Sequence, residues 1–340
     1  MILVTGGTGF IGSHTVVELH KAGYAVLIVD DLSNSRLEVL DAIEQISGIR
    51  PAFEKVDVTN RQALQGVFEK YQGSIEGVIH FAAKKAVGES VSFPLMYYRI
   101  NVQGLLTLLD CMEEKGVNRI VFSSSCTVYG QPDQISVDEL APRKKAESPY
   151  GNTKMICEDV LNDVTKAGEL KAISLRYFNP IGAHESALIG ELPIGAPNNL
   201  VPYITQTAIG KREKLTVHGG DYPTNDGTCI RDYIHVVDLA KAHISALQRL
   251  LTGRTESVHE VFNIGTGKGS SVLEVIKTFE KVSGKPLNYS IGPRREGDIT
   301  QVYAKTGLAN QKLGWKSELT LEDALSSAWK WEQHCKAQGL

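Results

Sequence analysis

In the stretch SPYGNTK, residues 148–154, a tyrosine precedes a lysine by four positions. On a helix those positions share a face, so Tyr150 and Lys154 point the same way. Ser148 and Pro149 suit the helix entrance, serine as the cap and proline in the first turn. Taken alone, such a pair is ordinary helix surface in most proteins. Its chemical alternative is hydride transfer at an alcohol carbon, which needs a base for the hydroxyl proton. Free tyrosine titrates near 10, so holding tyrosinate near pH 7 requires about 4 kcal/mol of differential stabilisation. A neighbouring ammonium and a positively charged nicotinamide supply charge of the right sign. A third group should hydrogen-bond the same oxygen. The run FSSSCTVYG (122–130) offers Ser125 for this, with Ser123 and Ser124 as structural alternatives.

A dinucleotide site is legible near the start. The run VTGGTGFIGSH follows the first strand and opens the first helix. It contains Gly7-x-Gly9-x-x-Gly12, with Gly6 one step earlier. Small residues there permit a tight turn and bring backbone N–H groups to a pyrophosphate at the helix N-terminus. Asp30 ends the second strand, 18 residues past Gly12, where a carboxylate binds adenosine ribose hydroxyls. It would also repel a 2′-phosphate, which favours NAD over NADP, although Arg36 lies near. Asp57 closes the third strand and either meets the adenine edge or caps the next helix. With NAD in place, Lys154 can reach the nicotinamide ribose and fix the cofactor beside the base.

These residues need a scaffold, and the pattern supplies one. Candidate strands at 2–5, 25–29, 52–56, 77–80, 119–123 and 172–176 alternate with helical patterns near 11–22, 36–47, 60–71, 94–115 and 149–167. That alternation predicts an α/β fold: a Rossmann-type, doubly wound parallel sheet with a smaller, mixed α/β substrate domain. From about residue 179 proline, glycine and asparagine accumulate and the alternation stops. Helix 236–251 and strand 261–265 then return to the first sheet. The expected division is 1–178 plus about 236–263 for NAD, and 179–235 plus about 264–340 for the substrate.

Composition narrows the field. The chain has 340 residues, 42% hydrophobic and 22% charged, as in ordinary soluble proteins. A net charge of −3 suggests neither a nucleic acid nor a polybasic membrane partner. The five cysteines never form a CxxC pair and the nine histidines show no HxH or HExxH spacing, so no metal is expected. A strand starting at residue 2 leaves no room for a signal peptide, and the expected location is cytoplasmic.

Ser…Tyr-x-x-x-Lys together with TGGTGFIG resembles the extended short-chain dehydrogenase/reductase superfamily. More closely, the chain resembles the UDP-galactose 4-epimerase family. The resemblance extends through HFAAKKAVGESV (80–91), SSSCTVYG (123–130), LRYFNPIGAH (175–184), PNNLVPYI (197–204), DYPTNDGTCIRDYIHVVDLA (221–240) and PRREGD (293–298). It implies Tyr150 as base, Ser125 as its hydrogen-bonding partner and Lys154 on the ribose. Lys85 is implied near the cofactor phosphates, Phe178 against the nicotinamide and Asn179 on the substrate. Ala83 and Lys84 stand where the family usually has a glycine and an apolar residue. The expected cofactor set also includes Phe10, Ile11, Asp31, Asn34, Ser35, Val58, Phe81, Ala82 and Asn101.

A UDP-hexose carries a diphosphate, which calls for cations and free N–H groups in the second domain. The run NNLVPYITQTAIG reads as a helix with Asn199 near its cap and Leu200 beside it, an anion site. Arg231 and Arg295 can each grip phosphate oxygens bidentately, though Arg231-Asp232 is otherwise a common surface pair. A strand at LTVHGG (215–220) would place Thr216, Val217 and His218 beside uracil, with His218 stacking or simply exposed. Asp298 would bind a ribose or orient Arg295. In the family the residue four past that aspartate walls the sugar pocket; here it is Val302, with Tyr303 next.

The implied reaction is reversible 4-epimerisation of UDP-glucose and UDP-galactose through a 4-ketose, with UDP-GlcNAc and UDP-GalNAc as further substrates. The resemblance also implies a homodimer through helices 94–115 and 149–167, with Leu95, Leu105, Leu108, Leu109, Met155, Ile156, Val160 and Leu161 as apolar positions. A 4,6-dehydratase is disfavoured, because SCTVYG lacks the Asp-Glu pair that elimination of water needs. A UDP-glucuronate 4-epimerase or decarboxylase stays open on motifs. A catalytically silent NAD sensor is the alternative from another class, yet such proteins usually lose the tyrosine or lysine, and both are present.

Overall fold

Alternate residues of the first strand, Ile2–Thr5, enter different cores. Ile2 and Val4 pack with Val16, Leu239 and Leu247 on one face, whereas Leu3 packs with Phe68, Leu105 and Leu108 on the other. The second strand, Val26–Asp30, divides Val26 and Ile28 from Leu27 and Val29 in the same way. Strands buried on both faces need continuous apolar runs and must be covered by helices on both sides. The computed structural model that shows this describes residues 1–295 and 298–340. Glu296 and Gly297 of the PRREGD run lie outside the described residues.

Seven strands form the main sheet, every neighbouring pair parallel. Their order is His259–Ile264, Lys171–Tyr177, Arg119–Ser125, Gly77–His80, Ile2–Thr5, Val26–Asp30 and Ala52–Lys55. This is a Rossmann-type doubly wound sheet. The chain crosses back as the sequence suggests: helix Val236–Leu251 packs on helix Phe10–Lys21, and strand His259–Ile264 closes the sheet edge. The topological switch lies at Ile2–Thr5, between Val26–Asp30 and Gly77–His80, where such sheets open a crevice beyond the strand carboxyl ends.

The later segments build smaller sheets that proline- and glycine-rich texture conceals. One has the order Ser270–Ser271, Ile230–Arg231, Gln301–Ala304 and Ser136–Val137. Two others pair Asn179–Ile181 with Tyr233–His235, and Leu215–His218 with Tyr289–Gly292. Helices Val272–Ser283 and Leu321–Ala337 cover a separate core, in which Phe279 meets Trp329 edge to face at 5.6 Å.

Two expected helices are corrected. The second begins at Val39, not 36. The pattern at 94–115 is not one α-helix: Pro94–Tyr97 and Gly104–Glu114 are joined by a π-helical stretch, Tyr98–Gln103. Such inserted turns are common at functional sites, and here one turns Asn101 inward. Among the described residues no helix is long and apolar enough to cross a membrane, and no cluster of side chains could hold a metal ion.

Candidate functional site

The residues that follow the strand ends meet in one cavity of about 930 Å³. Thr5 leads into the glycine loop, Asp30 into Asp31, His80 into Phe81, Ser125 into Cys126, and Tyr177 into Phe178. Parallel strands therefore deliver residues far apart in sequence to the same rim.

The glycine loop is built by close approach. Gly6 has φ +69°, and a Cβ there would lie 2.8 Å from the Ala82 nitrogen. A Cβ on Gly12 would lie 2.2 Å from the Gly6 carbonyl oxygen. No side chain caps helix Phe10–Lys21, so its leading N–H groups are left for a ligand. At the rim the Asp30 Oδ1 accepts from the Leu32 N–H at 2.9 Å and the Ser35 hydroxyl at 3.2 Å, while Oδ2 accepts from the Thr8 N–H at 3.2 Å. These bonds aim the carboxylate and leave it acceptor capacity. Asp57 accepts from both the N–H and hydroxyl of Thr59 at 2.8 Å, and the following helix is capped by Asn60 instead. The helix-cap alternative for Asp57 is thereby removed, and its side chain lines the cavity.

Helix Pro149–Ala167 starts as its sequence dictates. The Ser148 hydroxyl accepts from the Gly151 N–H at 3.2 Å, with Pro149 in the first turn. Tyr150 and Lys154 both face inward and are buried. The Lys154 ammonium donates to the Ser123 carbonyl at 2.6 Å and lies 6.0 Å from the Tyr150 ring centroid. Burial pulls this ammonium down to about 8, against the upward pull of Cys157 and Glu158. Burial pushes the Tyr150 phenol well above its usual value; Tyr177 adds to this and the Ser125 hydroxyl opposes it. Burial thus favours the protonated phenol, with the Lys154 ammonium as the cation beside the ring.

The three serines separate cleanly. The Ser123 hydroxyl pairs with the Tyr177 hydroxyl, and Ser124 donates to Glu158 at 2.6 Å. Among the described residues Ser125 accepts a 3.3 Å bond from the Thr127 N–H, and it lines the cavity with Tyr150.

Of the expected cofactor set, Gly6, Gly9, Phe10, Ile11, Gly12, Asp30, Asp31, Asn34, Ser35, Asp57, Val58, Phe81, Ala82, Lys85, Tyr150, Lys154 and Phe178 line this cavity. Asn101 does not. It is buried, accepts from the Lys84 N–H at 2.8 Å and donates to the Lys84 carbonyl at 3.0 Å. Its amide is consumed in holding the unusual Ala83-Lys84 segment, so it shapes the wall without lining it.

The expected substrate residues are divided. Ser125, Tyr150, Asn179 and Asn199 line the cavity; Leu200, Thr216, Val217, His218, Arg231, Arg295, Asp298 and Val302 do not. Asn199 stands at the helix cap position, but its amide makes no capping bond and donates to Glu191 at 2.6 Å. The Val217 side chain belongs to the separate core of Phe279 and Trp329, which leaves only its backbone for a ligand, while Thr216 and His218 are exposed. Arg231-Asp232 is no surface pair. Asp232 is buried and accepts from Thr266, Gly267 and Ala304. Arg231 and Arg295 instead flank Asp298, at 3.7 and 3.1 Å. Val302 pairs in register with Arg231 and packs with Phe178, Val128 and Tyr129. Tyr303 points to the other face, toward Gly269.

The wall also includes residues that motif reading missed. Thr8, Tyr177, Glu191 and Trp331 line it. Tyr177 was signalled by its place before Phe178 at a strand end. Trp331 carries no local signal, since it comes from the last helix.

Comparison with known proteins follows the same lines. The chain matches the family model described as GDP-mannose 4,6 dehydratase over residues 3–328. It is 49% identical to a UDP-glucose 4-epimerase of Bacillus subtilis over 332 residues, 97% of this chain and 96% of the relative. A crystal structure of UDP-glucose-4-epimerase from Stenotrophomonas maltophila with bound NAD and formylated UDP-arabinopyranose superposes with a TM-score of 0.95 at 46% identity, covering 99% of each chain. A UDP-glucose 4-epimerase from Bifidobacterium longum in complex with NAD+ and UDP gives 0.93 at 46% identity, covering 98% of each.

Proposed function

We infer the reaction from the chain's family: it belongs to the UDP-glucose 4-epimerases of the extended short-chain dehydrogenase/reductases. It is an NAD-dependent isomerase that interconverts UDP-glucose and UDP-galactose by inverting C4. The observation that carries the reading is that Tyr150, Lys154 and Ser125 share one cavity with the glycine loop and Asp30.

The residues present fit NAD. A Cβ at Gly6 or Gly12 would fill the cradle, an uncapped helix end awaits phosphate, and Asp30 is aimed at the rim where a ribose diol would sit. Bound NAD would supply reversible hydride acceptance at C4, and its cationic ring would add to the positive charge that Lys154 places near Tyr150. Tyr150 removes the proton of the sugar 4-hydroxyl while Ser125 hydrogen-bonds the same oxygen. Lys154 holds the cofactor ribose beside the base, and Phe178 packs on the nicotinamide. The 4-ketose then turns about its diphosphate linkage, and Tyr150 returns the proton on the other face. Asn179, Asn199, Arg231 and Arg295 hold the nucleotide, so the sugar itself is free to turn. The matching family model carries a dehydratase's description, but Cys126 and Thr127 follow Ser125, and neither supplies the acid pair that loss of water requires. Denaturing the purified protein should release NAD, and the native protein should convert UDP-galactose to UDP-glucose. Absence of both would dismiss the reading.

Substrate breadth rests on Val302. Its side chain and that of Phe178 share one cluster and Tyr303 lies toward Gly269 on the other face, which supports Val302 over Tyr303 as the residue beside the sugar pocket. A 2-acetamido group adds three heavy atoms, roughly the space by which valine falls short of tyrosine. UDP-GlcNAc and UDP-GalNAc are therefore interconverted as well. Val302→Tyr should abolish that activity and spare UDP-galactose; an unaltered protein inert toward UDP-GlcNAc would refute the assignment.

Assembly is a homodimer through the helices at 94–114 and 149–167. Of the expected apolar positions, Leu105, Leu108, Leu109 and Leu161 are spent on the sheet. Leu95 remains 69% exposed, joined by Phe93 at 60% and Leu106 at 44%. Apolar side chains left exposed on these helices support their pairing across a two-fold axis. Light scattering should give twice the 37.1 kDa chain mass at micromolar concentration, and a monomeric mass would count against pairing.

A further inference from the structure

We propose that Lys85, Glu191 and Trp331 form a latch across the cofactor cleft and set how slowly NAD leaves it. This rests on the NAD reading above, in which Lys85 serves the cofactor phosphates. The cleft has two walls. One is the glycine loop with the start of helix Phe10–Lys21, and the other includes residues 188–194. The Lys85 ammonium lies 5.9 Å from the ring centroid of Phe10, the residue that opens the uncapped helix. It therefore stands near the helix start whose N–H groups a pyrophosphate would use. The same ammonium donates to Glu191 Oε1 at 2.9 Å, on the opposite wall. An ammonium carries three protons, so one can hold Glu191 while the others serve the phosphates.

Glu191 is pinned on its own wall before it reaches across. The Asn199 amide donates to the same Oε1 at 2.6 Å, and the Trp331 indole donates to the Glu191 carbonyl at 3.0 Å. The indole also lies against Gly190, where a Cβ would come within 2.5 Å of it. Residues 183–190 lead into this point as a hairpin, closed by the Ala183–Gly190 bridge and by the His184 N–H donating to the Ile189 carbonyl at 3.1 Å. The last helix, which carries Trp331, is rooted in the separate core through Trp329 and its edge-to-face contact with Phe279. The carboxylate is thus mounted on a fixed support and closes onto the wall that holds the cofactor.

For a dinucleotide to leave, these walls have to part, and the Lys85–Glu191 bond lies across the opening. The Glu191 side chain is 13% exposed and that of Lys85 45%, so water competes at the lysine end and the latch opens reversibly. An epimerase has to keep its reduced cofactor while the ketose turns. A bond that slows cofactor escape serves that need without holding the sugar. Glu191 is on this account a positioning residue, because it acts on the cofactor through Lys85.

The test is the rate of NAD release from the NAD-loaded protein, read as NADH formed by an alcohol dehydrogenase and ethanol in the surrounding solution. Glu191→Ala should release NAD about tenfold faster, the size of one charge-assisted hydrogen bond at a partly exposed site. Trp331→Phe keeps an aromatic ring but loses the N–H, and should speed release about fivefold. In a Lys85→Met background Glu191→Ala should add less than about twofold, because the bond across the cleft is already gone. Glu185→Gln, an exposed acid on the same hairpin, should leave the rate within about twofold. Activity that Glu191→Ala loses on dilution should return when NAD is added, which damage to the fold would not allow. Release within about twofold of the unaltered chain, in Glu191→Ala or in Trp331→Phe, overturns the proposal. So does an acceleration that persists undiminished without Lys85, or one matched by Glu185→Gln. An unaltered protein that cannot hold NAD at all would overturn the functional reading itself, a result distinct from these.

Discussion

Replacing Tyr150 by phenylalanine should lower epimerisation by about 10²- to 10⁴-fold, the range for loss of a positioned proton-transfer group. Phenylalanine keeps the ring, which is 8% exposed and packed beside Lys154, so the fold should survive. The substitution removes a hydroxyl that is costly to ionise in this setting. Burial pushes the phenol upward, and the ammonium that would lower it is engaged with the Ser123 carbonyl. UDP binding and NAD content should stay near normal, because neither depends on that hydroxyl in the proposed scheme. The expected pattern is a collapse of kcat with little change in KM. Measured turnover within tenfold of the unaltered chain would remove Tyr150 from the role of base.

The second large effect is on stability. Behind the active helix lies a buried ion pair: Arg176 donates to Glu158 through Nε at 2.9 Å and through Nη2 at 2.6 Å. Ser124 adds a third donor to the carboxylate, and the Tyr129 hydroxyl accepts from Arg176 at 3.0 Å. Glu158 has 2% side-chain exposure and Arg176 6%, so neither is served by water. Arg176→Met should cost about 3–5 kcal/mol, because the buried carboxylate loses its bidentate partner and keeps only Ser124 and the more distant Arg143 at 3.6 Å. Replacing both members, Glu158→Leu with Arg176→Met, should recover most of that loss. Urea unfolding decides the matter. A loss below about 1 kcal/mol for the single variant would show that the carboxylate finds other compensation. The pair also matters for chemistry. Glu158 sits one helical turn beyond Lys154, and its anchor to Arg176 and Ser124 sets the roll of the helix that carries Tyr150.

Much of this was written in short-range terms. The pairing of Tyr150 with Lys154 needs only helical geometry and the Ser148-Pro149 start, both local properties. The glycine loop is legible because its chemistry demands small residues between a strand and a helix, and Asp30 because a strand ends there. Helix 236–251 was readable at the same bounds it has in the fold, since its apolar face repeats at helical spacing. By contrast, Ser123, Ser124 and Ser125 are identical in sequence terms. The motif resemblance pointed to Ser125, and the tertiary partners give the physical reason, because Tyr177 and Glu158 claim the other two. The break at Tyr98–Gln103 likewise has no propensity signal. It is tied to the bond between Asn101 and Lys84, seventeen residues apart in the chain.

Local pattern therefore determined the strands and helices, the glycine loop and the shared face of Tyr150 and Lys154, because each needs neighbours no more than a helical turn or a strand away. The meeting of Lys85, Glu191, Asn199 and Trp331 belongs to the tertiary structure alone. The Lys85–Glu191 contact spans 106 positions and the Trp331–Glu191 contact 140. No periodicity records such pairs. They exist because the parallel strands and the last helix bring separate loops to one rim, where a single carboxylate accepts from two donors.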